Sequence, residues 1–159
     1  MPFNPTDPLF DRQWHFDRIG NIRAIWEEYN GAGVHVGVYD EGIEQTHTDL
    51  NDNYDASLEF SYNGAIPNTG ATGPHGTSVA GLIGAEANDE GTVGIAFGAS
   101  LTSVNIFDST SDLYINAGTP TGFFAAVAYN AFDVVNNSWG STPGYAAFQN
   151  RNTAGSFAA

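Results

Sequence analysis

Cysteine and lysine are both missing from this chain of 159 residues. The absence of cysteine excludes disulfides and thiolate metal sites. The absence of lysine leaves four arginines against eighteen acids, a net charge of -14. Three of the arginines, Arg12, Arg18 and Arg23, lie near the start, so residues 24–150 carry fifteen acids and no fixed cation. A surface of that sign repels phosphate, which excludes nucleic acid and anionic membranes as partners. It suits solubility in salt, divalent cations or a basic ligand. No eighteen consecutive apolar residues occur, so the sequence contains no transmembrane helix. The opening residues have neither the basic start nor the apolar run of a signal peptide. Internal repeats, low-complexity tracts, HExxH, P-loop and GxGxxG patterns are absent too.

What is present is the composition of a packed globule, 42% hydrophobic and 13% aromatic, at a length that suits one domain. Residues 1–20, with three prolines and scattered aromatics (Phe10, Trp14, Phe16), read as an extended arm laid on a body. Asn21 opens a short helix with Ile22, Ile25, Trp26 and Tyr29 on one face and Gly31 as its stop. Val34, Val36 and Val38 alternate with His35 and Gly37, which predicts a strand ending at Asp40, with His35 in its middle. Residues 44–73 form a long polar excursion of the kind that is usually functional. A helix is expected from His75 to about Ala87, its small residues allowing close packing. A strand follows around Leu101 to Phe107. Thr119 and Pro120 start another helix, with Phe123, Phe124, Val127, Ala128 and Ala131 on its apolar face. Asp133 to Trp139 then reads as a further buried strand. This alternation means an α/β fold with a parallel sheet.

In such folds the reactive crevice lies beyond the carboxyl ends of the strands. Asp40 occupies such an end and is placed to hold an imidazole in one tautomer. His75 opens a helix after Gly73 and Pro74, where the helix dipole lowers its basicity and keeps it neutral as a base. Taken singly, each has a structural reading as well, a turn cap for Asp40 and a helix cap for His75. His15, His35 and His47 are too scattered for a zinc signature.

Together the motifs resemble a family. Val36-Gly-Val-Tyr-Asp-Glu-Gly-Ile43, followed by His47-Thr-Asp-Leu50, is similar to the aspartate motif of subtilisin-like serine proteases (peptidase family S8). His75-Gly-Thr-Ser-Val-Ala-Gly81 resembles their histidine motif, and Val134-Val-Asn-Asn-Ser-Trp-Gly140 their substrate-binding strand. The segment from Thr6 to His15 and the Ser-Trp-Gly triplet resemble the kexin and proprotein-convertase branch in particular. The resemblance runs from about residue 5 to 140 in consistent order.

It implies a three-layer α/β/α fold with a mostly parallel sheet, present here in incomplete form. Residues 21–159 would be the N-terminal half of a peptidase domain, with residues 1–20 as its arm and the remainder expected downstream. It also implies an Asp-His-Ser triad acting on peptide or protein substrates, to which this chain supplies Asp40 and His75. The serine and the oxyanion asparagine cannot be placed in the chain. Ser78 lies inside the histidine motif, where packing or a bond to the helix backbone is expected. Ser138, Trp139 and Gly140 would bind substrate, and Glu41 stands where convertases carry a second acid that favours basic side chains. The family's structural calcium would fall to Asp7, Asp49, Asn88 and Asp89, against the alternative of a solvated acidic face. Two further readings compete. One is a non-catalytic calcium-binding or interaction module on a degenerate scaffold, the other a small cytosolic binding domain. The composition with its missing N-terminal signal points to secretion, through a C-terminal signal.

Overall fold

The computed structural model describes residues 3–59, 70–107 and 131–139. Its centre is a parallel sheet of three strands in the order β2-β1-β3, where β1 is His35–Asp40, β2 is Ser100–Asn105 and β3 is Val134–Asn136. The register sets His35 against Ser100 and Asp40 against Asn105 on one side of β1, and Val36 against Val134 on the other. The strand predicted from the sequence is present, but both its faces are covered, Val36 and Val38 by the cluster around Ala80 and Gly37 and Tyr39 by Phe132, so its residues after His35 are all buried. His35 stands at the strand's start rather than its middle. Its half-exposed ring lies 3.6 Å from Asp55 and 3.7 Å from Asp133, where the solvent edge admits a polar ring.

Helix α3, His75–Gly84, packs on this sheet through small residues. Ala80 is fully buried among Val36, Val38, Ile43, Leu50, Ala99 and Leu101. A Cβ on Gly84 would come within 3.1 Å of the Leu101 side chain, so glycine is what lets helix and strand approach this closely. The helix ends three residues short of the expected Ala87. Ala85 turns extended, and the next backbone N–H, that of Glu86, bonds the Asp49 carbonyl instead of the helix.

Residues 3–20 do not form an extended arm. They hold a 3-10 turn at Phe10–Arg12 and a short helix α1, His15–Ile19, before α2, Ile22–Trp26. Phe10, Phe16, Ile22, Trp26 and Val93 form a second apolar cluster, with Phe3 and Phe97 against it. Trp26 sits at its middle, with ring centroids 5.3 Å from Phe16 and 5.5 Å from Phe97. Elements this short do not persist alone, so tertiary packing holds them. Ile25 lies within α2 but on its exposed side, at 52% exposure, and Tyr29 lies beyond the helix's end, at 71%. β3 also departs from expectation. It is three residues long and half-exposed at Val134, since it lies at one edge of the described strands. The helix predicted from Thr119 lies outside the described residues, apart from Ala131.

Candidate active site

Asp40 is the last residue of the central strand and is only 1% exposed. Its Oδ1 accepts the backbone N–H of Glu41 at 2.9 Å and lies 2.8 Å from His75 Nδ1. The contact joins residues 35 apart in sequence, and backbone approach makes it possible. A Cβ on Gly76 would lie 2.3 Å from the Gly42 carbonyl oxygen and 3.1 Å from Asp40 Cβ. Gly42 itself has φ +91°, a left-handed turn that glycine adopts without strain, and it lets the chain leave β1 beneath the helix.

A carboxylate facing Nδ1 selects the tautomer with a proton on Nδ1 and leaves the Nε2 lone pair for chemistry. The imidazole is 56% exposed, so the ring is open to solvent on the side away from Asp40. The basicity of His75 runs opposite to the sequence expectation. Its pKa is raised above 6.5, chiefly by the hydrogen bond to Asp40 and that carboxylate's charge, with a smaller contribution from Glu41. A directly bonded carboxylate outweighs the helix dipole.

The Glu41 side chain reaches from the end of β1 to the start of α3. Its Oε1 accepts the His75 backbone N–H at 2.6 Å, and its carbonyl accepts the Thr72 N–H at 2.8 Å and Asn105 Nδ2 at 3.1 Å. Asn105, fully buried at the end of β2, also donates to the Gly70 carbonyl at 3.0 Å. The sequence reading missed this residue. Its signal was an amide at a strand's carboxyl end, level with Asp40. A cleft of about 990 Å³ opens alongside, lined by residues 43–47, by 70–74 and by Thr77 and Ser78. Ser78 Oγ bonds the Pro74 carbonyl at 2.8 Å, as expected of a helix residue rather than a nucleophile.

Comparison with known proteins decides the family. Residues 31–158 match the model of the subtilase family. The chain belongs to that family. It is 33% identical to fervidolysin of Fervidobacterium pennivorans over 141 residues, which cover 84% of the chain and 20% of that relative. It is 32% identical to neuroendocrine convertase 2 of Bos taurus over 160 residues, covering 89% of the chain and 24% of the convertase. Among solved structures, the serine protease of Aeromonas sobria superposes with a TM-score of 0.67 at 25% identity, covering 95% of this chain and 29% of that one. This subtilase chain thus spans about a fifth to a quarter of the length of the curated relatives it matches.

The remaining candidates fall in two places. Ser138 Oγ bonds Asn136 Oδ1 at 2.8 Å, and the Trp139 ring meets Phe107 edge-on at 6.1 Å. β3 ends at Asn136, which pairs with Val38, so Ser138 follows the strand's end without a strand partner of its own. Gly140 lies outside the described residues. Asp7 and Asp49 are both buried, near the loop after α3. Asp7 Oδ1 accepts the Asn88 N–H at 3.1 Å, and Asp49 Oδ2 accepts the Thr92 N–H at 2.9 Å. Asn88 Nδ2 reaches the Thr48 carbonyl at 2.9 Å and Glu86 Oε2 at 3.4 Å. Asp89 is exposed and accepts the Thr6 hydroxyl, so it ties down the N-terminal segment. Among the described residues no three side chains of His, Asp or Glu converge as a metal-binding group. Asp7 Oδ2, however, is buried with no hydrogen-bond partner there.

Proposed function

We propose that this chain is part of a serine endopeptidase, in which Asp40 and His75 belong to an Asp-His-Ser triad completed by a serine and an oxyanion asparagine downstream. The observation that carries the reading is the 2.8 Å contact between Asp40 Oδ1 and His75 Nδ1, buried on the aspartate side and open on the imidazole side. Nε2 takes the proton of the serine hydroxyl as it attacks the scissile carbonyl, then returns it to the leaving amine. Asp40 stays ionised, holds the ring and stabilises the imidazolium, which agrees with the raised pKa of His75. A peptide substrate lies as an added strand along the segment from Asn137 to Gly140.

Calcium belongs to the same proposal. The buried, unpartnered oxygen of Asp7 is costly unless a cation faces it. Asp7, Asp49 and Asn88 would hold calcium together with amide and backbone oxygens, the hard donors it prefers. The ion would cross-link the N-terminal segment to the loops on either side of α3. Secretion, by a C-terminal signal, is supported by the acidic, cysteine-free composition.

The test is peptide hydrolysis by the product of the complete coding sequence. Turnover of a chromogenic peptide should be blocked by a serine-directed phosphonate. His75→Ala should lower kcat about 10⁴- to 10⁶-fold, the range seen for triad members in subtilisin. Turnover that ignores both the phosphonate and the His75→Ala change would defeat the proposal.

A further inference from the structure

Helix α3 carries the base, yet nothing local caps it. The residue before its first turn is Pro74, whose side chain offers no acceptor, and no side-chain cap is made there. The acceptor comes instead from Glu41, 34 residues earlier, at 2.6 Å from the His75 N–H. The carboxylate lies flat on Gly73, where a Cβ would stand 2.4 Å from Oε1, 2.5 Å from Cδ and 2.6 Å from Oε2. Its backbone is fixed as firmly. The Glu41 N–H goes to Asp40 Oδ1, and its carbonyl takes Thr72 and Asn105.

We infer that Glu41 is a positioning residue for His75, which locks the first turn of α3 to the end of β1 and so sets the imidazole on Asp40, rather than a reader of basic substrate side chains. The inference rests on the reading of His75 as the general base. Asp40 and Glu41 are adjacent, and one holds the ring of His75 while the other holds its backbone. Two anchor points fix a side chain's angle as well as its distance, which a single hydrogen bond to Nδ1 cannot do. An acid at this place also complements the helix's positive end. Glutamate has the reach for the task, since its side chain spans from the strand end to the helix start across Gly73. Among the described residues, the charged groups acting on His75 are Asp40 and Glu41 from the end of β1, and both favour its protonated form.

The experiment uses the complete protease with Glu41→Ala and Glu41→Gln. Peptides with basic and with neutral residues beside the cleaved bond separate the two roles. Glu41→Ala should lower kcat about tenfold or more through misplacement of the base, with KM unchanged and an equal loss on both peptides. Glu41→Gln keeps an acceptor oxygen and should restore most of kcat. Because it removes the charge, it should still lower the midpoint of the His75 imidazole titration followed by NMR. Amide exchange at His75 should quicken in the alanine variant and stay near the parent rate in the glutamine variant. A loss confined to KM, and only for basic peptides, would overturn the inference, as would a His75 titration that moves in neither variant. Should the parent hydrolyse nothing, the proposed activity fails, while the titration and exchange measurements still decide the role of Glu41. Should the alanine variant not fold, the glutamine variant's titration decides it.

Discussion

The contact between β1 and α3 leaves no room for a methyl group, and Gly76→Ala measures how much depends on that. The added Cβ would stand 2.3 Å from the Gly42 carbonyl oxygen. Real Cβ contacts essentially never fall below 3.0 Å, and ordinary contact begins near 3.4 Å, so the two backbones must part by about 0.7–1.1 Å. The obstacle is a carbonyl on a turn with φ +91°, with no flexible side chain to swing away. Overpacking of this kind costs about 1–3 kcal/mol. The same displacement would stretch the Asp40–His75 contact from 2.8 Å toward the range in which a hydrogen bond is lost. Two readouts should therefore move together in the complete protein. Denaturant titration should show the loss of stability, and NMR should show the His75 midpoint falling as Asp40 withdraws. If His75 is the base of the proposed triad, its misplacement by about 1 Å should also cost about a hundredfold in kcat. Parent stability together with a parent His75 midpoint would refute the reasoning, because the helix would then have absorbed the methyl without leaving the strand.

Asp40→Asn should lower the His75 midpoint below the parent's, read by NMR. In the parent, the pair's contribution to stability is fully present below the unfolded histidine value of 6.5 and is lost as pH rises through the raised folded value. The stability gap between parent and variant, from denaturant titration, should thus be wider at about pH 5 than at about pH 9. Calcium should raise the melting temperature of the complete protein, and Asp7→Ala and Asp49→Ala should each lose much of that rise in a thermal scan; full retention by both would leave the acidic loops a solvated face. Trp26→Ala should cost about 3–5 kcal/mol through the cavity left in the aromatic cluster. Trp26→Phe, which loses the 2.8 Å bond from Nε1 to the Ile95 carbonyl, should cost nearer 1 kcal/mol by the same denaturant assay.

The parts legible in the sequence were those governed by period and by strong local signals. Alternating valines marked β1, the strand end marked Asp40, and Gly73-Pro74 marked the start of the helix that carries His75. The N-terminal turns were missed because no local pattern encodes them. They exist only where Phe10 and Phe16 meet Trp26 and Val93, and contacts across 80 residues leave no trace in a window of fifteen. The basicity of His75 was misjudged because the sequence shows the helix that the imidazole opens. It does not show the carboxylate 2.8 Å from its ring. Glu41 was recognised as important for its position beside Asp40, but its bond to the His75 N–H depends on the turn at Gly42 and on the bare face of Gly73. Neither is readable without the fold.

The strand order has a consequence for the chain as it is made. β1 lies between its partners, yet both are synthesised after it, β2 from Ser100 and β3 from Val134. Among the described strands none pairs β1 as a hairpin, so one edge waits for about sixty further residues and the other for about ninety, roughly 5–20 s for the longer wait at typical rates of synthesis. Until each partner arrives, the unpaired N–H and C=O groups on that side of the strand are a template for a second nascent chain. The central placement that buries Asp40 in the finished protein is thus also its most vulnerable point during folding. Parallel pairing between residues this far apart in sequence is slow to form.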